Sequence, residues 1–203
     1  MTSIDTCRKK RADYIINHEF PKYNELLVEC FDFDRWGFRM IFSGDVPQSH
    51  PSIVYESEYC RVKFMWEIPD ERDSSEITYI LYGRQHAPVL QETMMWNSES
   101  CRCWHDINLA LNFLDHAAPK DALRNATLLK DFYNNNKYKG WRKSEMRARS
   151  HAAAWEYYGQ SLFDLFDLRR PDLWRNYADF IKEFYEQTIT WPDHSITPLY
   201  KVC

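Results

Sequence analysis

The stretch ESCRCWHD, residues 99–106, sets Cys101, Cys103 and His105 at alternate positions. Thiolates and imidazoles ligate soft and borderline metals, and alternate side chains of an extended chain project to one side. The three could therefore form part of a metal site. Two points of chemistry argue against it. Same-side neighbours in a strand are rooted about 6.5 Å apart, whereas structural zinc uses a CxxC turn that brings two sulfurs to one ion. No CxxC or HxxxH stands elsewhere in the chain to complete a ligand set. The expected reading is structural: Cys101 and Cys103 act as small buried hydrophobes at a strand end, Arg102 points outward, and Trp104 begins a helix. A redox pair of the two thiols is the remaining alternative. No metal and no cofactor is expected.

A second constellation is YGRQHAP, residues 82–88. By alternation Tyr82, Arg84 and His86 share one side of a strand. Arg61 and Lys63 share a side of the neighbouring run, and Arg39 holds the equivalent phase on the first one. If those phases align, Arg39, Arg61, Lys63, Tyr82, Arg84 and His86 line a cationic, aromatic surface that would receive a carboxylate or phosphate. The competing reading is an ordinary solvated sheet face neutralised by Glu58, Glu67 and Glu76. Register decides between them, and register is not written in one strand.

The densest basic run is KYKGWRKSEMRARS, where Lys137, Lys139, Arg142, Lys143, Arg147 and Arg149 meet only Glu145, with Tyr138 and Trp141 interleaved. Such a pattern suits single-stranded nucleic acid. The whole chain carries a net charge of −4, so nucleic acid is not the expected partner. The seven histidines (His18, His50, His86, His105, His116, His151, His194) come with no GxSxG, HExxH or kinase-like motif. His86 with Glu56 or Glu58, and His105 with Asp106, are the conceivable acid–base pairs, and both depend on proximity in space. Five glycines and the absence of GxGxxG or GxxxxGK[ST] speak against a phosphate-cradling loop.

The elements that must position these residues follow from periodicity. Residues 1–33 read as helical, with Tyr14, Ile15 and Ile16 before Pro21, and Leu26, Leu27 and Cys30 after it. Residues 36–43 alternate, with Trp36, Phe38, Met40 and Phe42 expected on one face, and 44–52 reads as a loop. Residues 58–67 alternate again through Cys60, Val62, Phe64 and Trp66, and 76–84 is a third strand. Residues 93–96 and 100–103 are candidates for a fourth. Thereafter the period changes to helical. Trp104, Ile107, Leu111 and Leu114 form one stripe, residues 121–133 another candidate helix, and 143–168 a long one carrying Trp155, Tyr158, Leu162 and Leu165. Pro171 and Asp172 begin a last helix buried through Trp174, Tyr177, Ile181 and Phe184. Residues 191–203 read as an extended tail.

This order (helix, strands, helices) predicts a single α+β domain over 1–203: a helical segment at 1–33, an antiparallel sheet of three to five strands within 36–103, and a helical part at 104–190 packed on it. A chain of 203 residues with 44% apolar and 16% aromatic residues can bury a real core. Residues 1–11 have no apolar signal-peptide core and no stretch reaches the length of a membrane helix, so the expected compartment is the cytoplasm with reduced thiols. The expected function is a non-enzymatic binding or regulatory module that contacts a protein partner or itself, with a homodimer favoured. The alternative is an anion-binding protein or enzyme using the cationic sheet face. Nucleic acid and membrane are not expected partners.

Overall fold

The computed structural model describes residues 3–46, 50–66, 77–89, 104–118 and 143–188. The chain opens with α1 (Ser3–Tyr14), passes through a π-helical turn at Ile15–Glu19, and continues as α2 (Phe20–Cys30). Pro21 lies in the first turn of α2, directly after the π-helical turn in which the Phe20 N–H reaches back to the Ile15 carbonyl, and the helical path continues past it.

Among the described residues five antiparallel strands follow: β1 (Arg39–Gly44), β2 (Ser52–Glu56), β3 (Arg61–Trp66), β4 (Ile77–Gly83) and the short β5 (His105–Asp106), paired in chain order. The sheet is packed with α3 (Ile107–Leu114), α4 (Lys143–Tyr158), α5 (Gln160–Asp164) and α6 (Pro171–Thr188). The α+β class with helices at both ends of the chain is therefore as the periodicities predict.

Three details differ from the expected arrangement. β2 is a strand that alternation misses, because Ile53, Val54 and Tyr55 are all buried and give no polar–apolar rhythm. The register of β1 slips between Met40 and Phe42. This bulge sends Phe42 to the opposite face from Phe38, where it packs with Val54, Met65 and Leu81. The long helix expected over 143–168 ends at Gly159, whose φ of +54° and ψ of −133° suit glycine alone. Residues 93–96, 100–103, 121–133 and 191–203 lie outside the described residues.

The two sheet faces are unequal. The helix-covered face sends Ile53, Tyr55, Val62, Phe64, Trp66, Ile80 and Tyr82 into a large aromatic core. Trp155 of α4 sits at its centre, its ring 4.6 Å from Phe31 and 5.0 Å from both Phe38 and Phe163. The pairs with Phe31 and Phe163 are edge-on and the pair with Phe38 is stacked; ring pairs of these kinds contribute about 0.5–1.5 kcal/mol each beyond their burial. The apolar stripe of α6 (Trp174, Tyr177, Phe180, Ile181, Phe184) joins the same core. The opposite face carries a small second cluster of Val54, Met65, Leu81, Ala87 and Trp104.

Candidate functional site

The cross-strand register aligns side chains in rows. One row on the smaller face runs Arg39, Glu56, Arg61, Gly83 across four strands. The next runs Phe42, Val54, Lys63, Leu81. The intervening row, Met40, Tyr55, Val62, Tyr82 and His105, belongs to the helix-covered side. Arg39, Arg61 and Lys63 thus share a face as alternation expected, while Tyr82 points the other way.

Glu56 ties the first row together. Its carboxylate takes Arg61 at 2.7 Å and Arg39 at 3.6 Å. One carboxylate between two guanidiniums leaves a positive excess at this end of the sheet. β4 stops at Gly83, and residues 84–87 turn, the Ala87 N–H donating to the Arg84 carbonyl at 2.8 Å. That turn takes Arg84 and His86 out of strand alternation. The Arg84 guanidinium lies over the Trp174 ring at 4.9 Å, and His86 is exposed. Partial burial, then the nearby Arg84 and Arg61, push the His86 imidazole below its ordinary pKa. The Gln85 amide donates to the Ser57 carbonyl at 2.9 Å and anchors the turn on the β2–β3 hairpin.

Lys63 departs most from a solvated cationic face, for it is fully buried. Its Nζ donates to the Val89 carbonyl at 3.1 Å and sits 5.5 Å from the centroid of the Trp104 ring. Burial pushes its pKa from 10.5 down to about 8. Trp104 does not begin the helix stripe; it packs on the smaller face, and its indole N–H donates to the Pro88 carbonyl at 3.1 Å.

Within ESCRCWHD, Cys101 and Cys103 lie outside the described residues. His105 and Asp106 form the end of a strand running into a helix. Asp106 caps α3 by accepting from the Asn108 backbone N–H at 2.7 Å. The His105 ring rests among Phe166, Trp174 and Tyr177 at 5.3–6.0 Å. Among the described residues no three His, Cys, Asp or Glu side chains converge as metal ligands.

Sequence reasoning missed a buried polar network. The Trp155 indole N–H donates to the Tyr82 hydroxyl at 2.9 Å, and that hydroxyl meets His151 Nδ1 at 2.9 Å. Trp155 can only donate, whereas the direction of the Tyr82–His151 bond follows the imidazole tautomer. Burial, with Arg147 nearby, lowers the His151 pKa to about 3. All three residues are buried, and nothing local in the sequence marks residues 69 positions apart as partners.

Within the described part of the basic run, Arg149 is engaged internally. Arg149 pairs with Glu29 of α2 and, at 3.3 Å, with Glu145. No described helix is long and apolar enough to cross a membrane. Comparison of the chain with known protein families, with curated proteins and with solved structures finds no match.

Proposed function

We propose that this protein is a non-enzymatic binding module that takes an anionic group of its partner, carboxylate or phosphate, at the cationic end of the sheet. The observation that carries this reading is the sharing of Glu56 by Arg39 and Arg61, beside the turn that presents Arg84 and His86. Guanidiniums suit such a task because their planar fork matches two acceptor oxygens at once. Partial burial first, and then the Arg84 and Arg61 guanidiniums, lower the basicity of His86, and the part due to the two guanidiniums fits a positive local field.

The test is an NMR titration of the His86 ring with inorganic phosphate. Bound phosphate raises the His86 pKa and shifts its Cε1–H resonance, and Arg39→Ala with Arg84→Ala abolishes the shift. A His86 resonance indifferent to phosphate, or a shift that survives the double substitution, overturns the reading.

Self-association is the second reading. Among the described residues β1 is the end strand of the sheet, and Met40 on it is 51% exposed, so the strand offers a pairing edge to a second copy. Native mass spectrometry decides it: a mass at twice the chain weight that reverts with Met40→Lys supports the dimer, and a monomer at micromolar concentration removes it.

A further inference from the structure

Helix α1 is held to the fold by a polar clamp. Arg8 donates to both carboxylate oxygens of Asp45, at 2.9 and 3.0 Å, and to the Val46 carbonyl at 3.0 Å. Among residues 6–14 only Ala12 is buried. A helix with so narrow a buried stripe is polar on nearly every side, a form that suits a bridge to another molecule better than a core element. It carries four cations, Arg8, Lys9, Lys10 and Arg11, and two carboxylates, Asp5 and Asp13, in a chain whose net charge is −4. Positive charge is thus concentrated on one helix of an acidic protein.

The π-helical turn at Ile15–Glu19 sets the geometry of the outer surface. An α-helix has about 3.6 residues per turn, so a row of every fourth residue winds about 40° around the axis at each step. The wider π turn winds such a row back. Lys10, Tyr14, His18 and Lys22 therefore stay near one line past the turn, and all four are exposed. Tyr14 is 44% exposed, its ring 4.8 Å from the His18 ring and with the Arg11 guanidinium over it at 5.2 Å. Lys22 lies 3.5 Å from the carboxylate of Glu19, a residue that is itself buried.

We propose that this outer row is a contact surface for single-stranded nucleic acid: Lys9, Lys10, Arg11 and Lys22 take phosphates, and Tyr14 stacks on a base. The surface is separate from the cationic end of the sheet and does not depend on it. The charge calls for a polyanion. The exposed ring then selects among polyanions. Bases stack on aromatic side chains whatever their sequence, and a neighbouring guanidinium adds to the attraction. The carboxylates of an acidic peptide bring no ring to stack. A bilayer is the poorer match because the row has no aliphatic residue to insert. In a duplex the bases are stacked on one another inside, so a single strand is the form that offers a base to Tyr14.

The experiment is fluorescence anisotropy of labelled oligouridylate titrated with the full chain over a range of salt concentrations. Binding is expected, its log affinity falling linearly with log salt. Lys10→Gln with Lys22→Gln weakens binding and flattens that slope by about 1.4, for two phosphate contacts at about 0.7 each. Tyr14→Ala weakens binding roughly fivefold or more and leaves the slope unchanged, while Tyr14→Phe restores the affinity. The substituted side chains are exposed, and circular dichroism checks that each variant is folded. Arg39→Ala with Arg84→Ala binds oligouridylate as wild type does, which separates this surface from the sheet. No binding at low salt, or binding that every row variant leaves unchanged, overturns the proposal. Loss of binding in the Arg39, Arg84 variant alone overturns it too, by moving the contact to the sheet. Equal competition by polyglutamate overturns it in favour of an acidic protein partner. Full affinity in Tyr14→Ala overturns the stacking, and with it the choice of a single strand.

Discussion

Lys63 offers a quantitative check on the energetics of the smaller face. Its pKa falls from 10.5 in the unfolded chain to about 8 in the folded one. At about 1.4 kcal/mol per tenfold change in proton affinity, folding disfavours the charged form by about 3 kcal/mol. The sign follows from proton counting. Between about pH 8 and 10.5 the unfolded chain holds the proton and the folded protein has released it. Stability therefore rises with pH across that window, and the full penalty is present below it. Between pH 7.5 and 9.5 the expected gain is about 2 kcal/mol. Other groups titrate in the same range. Cys30, pushed by burial from 9.0 to about 11, is the clearest: its thiol ionises first in the unfolded chain, so it lowers stability as pH rises. A comparison with Lys63→Met removes those common contributions. The Met side chain fills the space without charge but leaves the Val89 carbonyl without this donor, at about 1–3 kcal/mol, so near pH 7 the two proteins should be of similar stability. Urea denaturation followed by tryptophan fluorescence should then show wild type gaining about 2 kcal/mol over the variant by pH 9.5. Parallel stability curves would refute a buried, burial-destabilised ammonium at this position.

The remaining expectations concern the helix-covered core. Tyr82→Phe strands both the Trp155 indole N–H and His151 Nδ1, and chemical denaturation should show a loss of about 2–4 kcal/mol. His151 has a folded pKa of about 3 against an ordinary 6.5, so its contribution is intact above pH 6.5 and lost as pH falls from there toward 3. His151→Asn should flatten the acid limb of the stability profile, and an unchanged limb would show that His151 is not held neutral. Gly159→Ala meets only an ordinary contact with Trp36 at 3.6 Å but must adopt a φ of +54°; a cost of about 1–3 kcal/mol is expected from backbone strain, measured by thermal or urea unfolding.

The α+β class, the α6 stripe and the buried face of β3 were legible because periodicity is a local property of the chain. Trp174, Tyr177, Ile181 and Phe184 recur at helical spacing, and Val62, Phe64 and Trp66 alternate, whatever surrounds them. The sharing of a face by Arg39, Arg61 and Lys63 was legible for the same reason, since alternation within each strand survives pairing. Tertiary structure decided what each face meets. The β1 bulge moved Phe42 to the other side. The unrecognised β2 placed Glu56 between Arg39 and Arg61. The turn after Gly83 removed Arg84 and His86 from the phase of Tyr82. Lys63, whose neighbours in the chain look like those of a solvated strand, is buried with the Val89 carbonyl and the Trp104 ring beside its ammonium. The physical reason is common to all four: a side chain's direction follows from its own backbone, but its dielectric surroundings and partners are set by segments distant in sequence, whose register one strand cannot encode.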